Sequence, residues 1–192
     1  MIYAGVGVGK HADSPYQAGY EAGKNAVARM GGGDPDFMIA FISVNFDQSE
    51  VVRSIREAGK GSLFVGCSDA GEITNDGPTR KSVAVMAIRS DSVKFYTGLG
   101  RDIKNGARAA GAAVAREVKG KAGDGMRAFI MLPDVLSGNG AEIVRGVLDV
   151  LGPHFPVVGG AAGDDFLFEK TYQYRDEEVV SGAVAGVGIS GS

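Results

Sequence analysis

The sequence predicts an α/β fold made of two pseudo-symmetric half-repeats, each with a mixed sheet, helices packed on it and closing antiparallel strands. Short motifs recur, because Tyr-Ala-Gly-Val-Gly at residues 3–7 returns as Tyr-Thr-Gly-Leu-Gly at 96–100. Apolar runs of strand length alternate with segments of helical periodicity. An apolar strand also runs twice into small residues and then an acid, at 63–72 and at 156–165. We therefore place the half-repeats at about residues 1–90 and 91–192.

The chain is expected to fold as one domain over residues 1–192. Two copies of a repeat are too few for a solenoid, and ligand sites in bodies of this kind often lie between the halves. With 192 residues, of which 44% are hydrophobic, the chain can bury a substantial core.

The elements of the first half follow one another clearly. Residues 2–8 form a strand, and Ser14-Pro15 then supplies a cap and a first helical residue for a helix that ends at about Met30. Residues 37–44 form a strand, and a helix from about Ser49 ends at Gly59. Residues 63–66 form the strand that leads into the first acid-bearing loop.

In the region between the halves, the pattern changes from the alternation of strands and helices to antiparallel strands. Asn75-Asp76-Gly77-Pro78 has the composition of a turn, and the apolar runs 83–88 and 93–98 are typical of a β-hairpin. The second half then repeats the scheme with a helix at 103–118, strands at 128–132 and 156–159 and a helix at 143–151. An antiparallel meander over 167–174, 178–181 and 184–189 closes it.

Charge and hydropathy exclude two classes of partner. The net charge is −3 and the basic residues are scattered, so we expect no nucleic acid. No apolar run approaches the ~18–20 residues of a spanning helix, so we expect no membrane insertion. The single cysteine rules out an internal disulfide, which agrees with the cytoplasmic location that we expect.

The two acid-bearing loops form the predicted binding site. Glycines after a strand expose backbone N–H groups, and a neighbouring carboxylate adds charge to the same concavity. The predicted ligand-binding residues are Cys67, Ser68, Gly71, Glu72, Gly159, Gly160, Asp164 and Asp165.

The glycines at 5–9 have a different interpretation. Neither the phosphate-binding loop nor the dinucleotide fingerprint matches their spacing around Lys10 and His11. They are therefore predicted to end a strand rather than to bind a nucleotide.

The motifs at residues 66–73, 158–165 and 171–174 together resemble the N-terminal part of the FIST domain, a sensory module of prokaryotic signal-transduction proteins also found with F-box partners. The resemblance covers nearly the whole chain. It implies a sensor of small ligands, with amino acids or similar polar metabolites foremost, that acts on a downstream signalling protein or domain. Relatives normally continue into a C-terminal FIST segment, so the chain is expected to be a short member or a fragment.

The residues themselves support a site for amino acids. An ammonium group needs carboxylates such as Glu72, Asp164 or Asp165, and a ligand carboxylate needs N–H groups such as those of Gly159 and Gly160. Glycines after a strand can equally serve only the turn, and an acid can serve only as a cap.

Three other chemistries stay open from sequence. The resemblance also implies haem and a response to nitric oxide in some relatives, but only His11 and His154 could supply an imidazole ligand, so no cofactor is predicted. Cys67 could act as a nucleophile in an enzyme, although no histidine is close to it in the sequence. The acids Asp69, Glu72, Asp164 and Asp165 could bind magnesium or calcium.

Overall fold

The computed structural model describes residues 1–74 and 77–191. The elements of the first half are, in chain order, β1 (Ile2–Gly9), α1 (Pro15–Arg29), β2 (Phe37–Ser43), α2 (Gln48–Ala58), β3 (Leu63–Asp69), β4 (Glu72–Thr74), β5 (Gly77–Thr79) and β6 (Val83–Ser90). The elements of the second half are β7 (Val93–Gly100), α3 (Ile103–Ala122), β8 (Met126–Pro133), α4 (Gly140–Leu151), β9 (Val157–Gly159), β10 (Gln173–Arg175), β11 (Glu178–Val180) and β12 (Val184–Gly191).

The long strands form two mixed sheets. The first sheet has the order β1-β6-β2-β3-β10-β11, and the second sheet has the order β7-β12-β8-β9. In each sheet one pair is parallel, β2 with β3 and β8 with β9, while the other pairs are antiparallel. The α/β class with mixed sheets is therefore confirmed.

The two halves have the same strand order. The sequence β1-β6-β2-β3 corresponds to β7-β12-β8-β9, with matching directions. The halves differ where β10 and β11 leave the second half and extend the first sheet by pairing with β3. The pseudo-two-fold symmetry itself stays a prediction, and superposition of residues 3–88 on 94–190 is its test.

Two pairings differ from the sequence analysis. Strands β6 and β7 exist but form no hairpin, because β6 pairs with β1 and β2 while β7 pairs with β12 in the other sheet. Each strand has an apolar face that can pack in either sheet, so periodicity could not assign their partners. The closing meander is correct for β10 and β11, which pair antiparallel. It is wrong for β12, which pairs with β7 and β8 rather than with β11. Asn75 and Asp76 of the predicted turn lie outside the described residues.

The elements stack in four layers. Helices α1 and α2 cover one face of the first sheet, and α3 and α4 cover one face of the second. The glycines of β1 permit close packing, since a Cβ on Gly7 would lie 2.0 Å from the carbonyl oxygen of Ala22 in α1. Between the sheets lies a third apolar cluster of Phe37, Val65, Cys67, Leu99, Leu132, Ala162, Ala183, Ala185 and Val187.

None of the helices within residues 1–74 and 77–191 is both long enough and apolar enough to cross a membrane.

Candidate functional site

The two acid-bearing loops are in direct contact. The hydroxyl of Ser68 donates a hydrogen bond to the carbonyl oxygen of Gly163 at 2.7 Å, and the N–H of Gly163 donates to the carbonyl oxygen of Ser68 at 2.9 Å. The N–H of Tyr172 donates to the Ser68 hydroxyl oxygen at 2.9 Å, and the N–H of Ser68 donates to the Tyr172 carbonyl oxygen at 2.9 Å. The buried side chain of Ser68 therefore joins the end of β3 in the first sheet to the loop that follows β9 of the second sheet.

A cleft of about 240 Å³ opens between the sheets beside this contact. Its walls come from β2, β3, β8 and the end of β9 with the next two residues, namely Ile39, Phe41, Cys67, Ser68, Asp69, Ile130, Leu132, Gly159, Gly160 and Ala161. Crevices at the carboxyl ends of parallel strands are the usual ligand sites of α/β sheets. Four of the predicted residues thus line one cleft: Cys67, Ser68, Gly159 and Gly160.

Asp69 supplies the only ionisable carboxylate among the described residues that line this cleft. Its Oδ1 atom is buried and has no hydrogen-bond partner among the described residues. Burial and the charge of Glu72 raise the pKa of Asp69 to about 7, the Gly71 N–H opposes this rise, and Asp165 adds to it. A buried carboxylate oxygen without a donor carries a desolvation cost that a cationic ligand group can remove.

Asp69 is not among the predicted binding residues, and from sequence alone it is only a candidate metal ligand. The available signal is its place as the last residue of β3, at the point where the strand reaches the crevice. The sequence favours the acids after the glycines instead, because they recur in both loops.

Glu72 lies next to Asp69 but does not line the cleft. Its side chain is only 4% exposed. The Oε2 atom accepts hydrogen bonds from the hydroxyls of Thr79, at 3.1 Å, and Ser82. Its Oε1 atom is buried without a partner among the described residues. Gly71 has φ +126°, a value that L side chains rarely adopt, and so allows the chain to turn between the two acids.

The two acids of the second loop have different surroundings. Asp164 is buried, and its carboxylate accepts hydrogen bonds from the N–H groups of Phe168, Glu169 and Lys170 at 3.1, 2.6 and 3.1 Å. Burial acts to raise the pKa of Asp164, but these backbone donors outweigh it and lower the pKa. Asp165 instead accepts a hydrogen bond from the Asn45 side chain at 3.0 Å. With Glu72 it is one of the two acids whose charge raises the pKa of Asp69.

The environment of Cys67 does not favour nucleophilic catalysis. The thiol is buried, and burial, together with the charge of Asp69, raises its pKa to about 12. The thiolate is the reactive form, so little of it exists at neutral pH. Neither histidine lines the cleft, so the cleft offers no imidazole to act as a base.

The cleft does not fit haem or a metal. A macrocycle needs an axial donor, whereas His11 lies elsewhere and faces Glu21 at 2.7 Å. Among residues 1–74 and 77–191, no group of three or more histidine, cysteine, aspartate and glutamate side chains is arranged to hold a metal ion.

Comparison with known proteins identifies the family. No curated protein matches the chain. One solved structure to which the chain is similar is that of cyanuric acid hydrolase from A. caulinodans, which is 12% identical and has a TM-score of 0.47; the match covers 99% of this chain and 71% of the hydrolase. The family model of the FIST N domain matches residues 36–192. The resemblance noted in the sequence is thereby confirmed, and the chain belongs to the FIST N family.

Proposed function

We propose that this chain is a sensory domain that binds an amino acid, or a similarly small amine-bearing metabolite, in the cleft at Asp69. FIST domains are sensory small-ligand-binding modules of signalling proteins. The observation that carries the ligand assignment is that Asp69 lines the cleft while its buried Oδ1 atom lacks a donor among the described residues. A ligand ammonium group is a donor of the correct charge for it.

The other walls suit the rest of an amino acid. The exposed backbone at Gly160 and Ala161 offers N–H groups for a ligand carboxylate. Ile39, Phe41 and Ile130 offer apolar contacts for an aliphatic side chain. A site that is mostly apolar with a few placed polar groups is the usual form of a small-molecule pocket.

The size of the cleft also favours a small ligand. Its volume of about 240 Å³ lies below the ~300–1,000 Å³ of sites for drug-sized molecules. An amino acid is of suitable size, whereas haem is too large. We expect ligand occupancy to be passed to a downstream signalling protein or domain, and we retain the cytoplasmic location as part of the proposal.

A thermal-shift screen tests this function. The purified chain is heated with each of the common L-amino acids, because a ligand that prefers the folded state raises the melting temperature by mass action. We expect a subset to stabilise the wild type and to lose this effect in Asp69→Asn. Asp124→Asn, which changes an exposed acid outside the cleft, is the matched control.

A haem titration followed by absorbance runs beside the screen. A saturable Soret band that His11→Ala or His154→Ala abolishes would contradict the amino-acid assignment. Stabilisation that is equal in the wild type and Asp69→Asn would place the ligand elsewhere.

A further inference from the structure

A cavity of about 490 Å³ lies along α2 and the turn that follows this helix. We call it the α2 cavity, and it shares no lining residue with the cleft at Asp69. Its volume is within the ~300–1,000 Å³ that is usual for small-molecule sites. The charged residues of its lining are Arg53, Arg56, Glu57, Lys60 and Glu177. The amino-acid ligand proposed above does not account for this second, more highly charged cavity.

The three cations of the α2 cavity are not neutralised by direct partners. Arg53, Arg56 and Lys60 form no ion pair within the part of the chain that the structure describes. They follow one another at spacings of three and four residues, which places neighbouring side chains on the same face of a helix. Like charges at these spacings repel each other. An anion bound in the cavity would remove this repulsion.

The guanidinium group of Arg56 is fixed on one side and free on the other. Its Nη1 atom donates hydrogen bonds to the carbonyl oxygen of Ser62 and, at 3.3 Å, to the Ser62 hydroxyl oxygen. Its Nε atom is buried and has no acceptor among residues 1–74 and 77–191, and Nη2 makes no hydrogen bond to these residues either. Nε and Nη2 form the edge with which an arginine binds two oxygens of one phosphate or carboxylate. The contact with Ser62 therefore leaves this edge available for a ligand.

The two acids of the lining do not occupy this edge. The carboxylate of Glu57 accepts a hydrogen bond from the hydroxyl of Tyr16 at 2.9 Å, and Glu177 is exposed in the turn between β10 and β11. Three cations against two acids leave the lining with a net positive charge. Basic residues near the end of a helix also complement its dipole. That effect explains the charge of Arg56 but not the Nε atom that lacks an acceptor.

We propose that the α2 cavity binds the phosphate group of a small metabolite, at a site independent of the cleft at Asp69. The Nε and Nη2 atoms of Arg56 bind two phosphate oxygens, and Arg53 and Lys60 neutralise the charge. A phosphate dianion suits three unpaired cations better than the single charge of a carboxylate does. The remaining volume accommodates the rest of the metabolite, whose hydroxyl or amine groups can donate to Glu57 and Glu177.

A titration of the purified chain with inorganic phosphate tests the proposal. Binding is followed by NMR chemical shifts at pH 8, with sodium chloride added to keep the ionic strength constant, and we expect it to saturate. Arg56→Lys keeps the charge but lacks the two-pronged edge, so it should weaken binding about tenfold or more. Arg53→Gln and Lys60→Gln change exposed residues and should each weaken it about threefold. Lys94→Gln, at an exposed site outside the cavity, is the matched control and should bind as the wild type does.

Two further arms identify the group that is bound and the site. Acetate presents a similar pair of oxygens with a single charge, so it should bind more weakly than phosphate. Asp69→Asn should bind phosphate as the wild type does, which separates this site from the proposed amino-acid site. If circular dichroism shows that Arg56→Lys is unfolded, Arg53→Gln and Lys60→Gln decide. Shifts that do not saturate, equal losses in Lys60→Gln and Lys94→Gln, a folded Arg56→Lys variant with unchanged affinity, or acetate binding as tight as that of phosphate would each overturn the proposal.

Discussion

Ser68 and Gly163 exchange two hydrogen bonds across the contact between the two loops, at 2.7 and 2.9 Å. Ser68 ends the buried part of β3 in the first sheet, whereas Gly163 follows β9 of the second. A Cβ on Gly163 would lie 2.9 Å from the N atom of Ala70, so the loops approach as closely as a glycine allows. The width of the cleft therefore depends on this pair.

Removing the Ser68 hydroxyl should destabilise the fold. In Ser68→Ala the carbonyl oxygen of Gly163 loses one donor, and the N–H of Tyr172 loses its acceptor. An unsatisfied buried group costs ~1–3 kcal/mol, so we expect a loss of about 2–3 kcal/mol in the free energy of unfolding. Urea unfolding measures this, with Ser49→Ala at an exposed site as the control. Equal losses in both variants would contradict the role of the contact.

The raised pKa of Asp69 predicts a pH-dependent stability. Because its pKa is about 7 in the folded state, against an ordinary value of 3.8, the folded state holds the proton more tightly than the unfolded chain does. The free energy of unfolding should therefore fall as the pH rises from about 4 to about 7 and then level off.

Asp69→Asn should remove this fall and be more stable than the wild type at pH 8, by on the order of 2 kcal/mol. Denaturant titrations at pH 5 and pH 8 measure the difference, and in this window Asp164, whose pKa is lowered, stays ionised. If the free energy of unfolding of Asp69→Asn fell with pH as steeply as that of the wild type, a group other than Asp69 would be responsible for the fall.

Cys67 should behave as a buried apolar residue. With its thiol pKa raised to about 12 by burial, it should react with a thiol reagent at neutral pH only after unfolding. Cys67→Ala should cost about 1 kcal/mol in stability and keep ligand affinity within a few-fold. Rapid labelling of the folded protein, or loss of a catalytic activity in a folded Cys67→Ala variant, would favour the enzyme alternative.

Asp164 should stabilise the loop rather than bind the ligand. Asp164→Ala leaves the N–H groups of Phe168, Glu169 and Lys170 without their acceptor, so we expect a loss of about 2–4 kcal/mol and faster hydrogen exchange in this loop. Asp164→Asn keeps an oxygen acceptor and should lose less. A stable Asp164→Ala variant that loses only ligand binding would instead make Asp164 a ligand contact.

The fold class was predictable because periodicity reports burial within each element. The partners of the strands were less predictable. Strands β6 and β7 follow each other in the sequence, yet they pair in different sheets. The order of apolar and polar residues in a strand shows which face is buried, but it does not show which other strand will be the hydrogen-bonded neighbour. The same limit applies to β10, which extends the first sheet although it follows strands of the second.

The site was predictable to the level of its loops. Small residues and acids after two related strands indicated that the loops converge, and the structure brings Ser68 and Gly163 together. That this is a ligand site stays a prediction. The role of each acid depends on which N–H groups the folded backbone presents, as the capping of residues 168–170 by Asp164 shows. The sequence could not separate that role from the unpartnered oxygen of Asp69.

Calorimetric titration at pH 6 and pH 8 tests the central claim most directly, using the amino acid that stabilises the wild type most in the thermal screen. Since an ammonium group binds the ionised form of Asp69, the wild type should bind about tenfold more tightly at pH 8 than at pH 6. Asp69→Asn should bind weakly and equally at both pH values. Undiminished affinity in Asp69→Asn, with the same dependence on pH as the wild type, would contradict the assignment of the cleft at Asp69 as the sensory site.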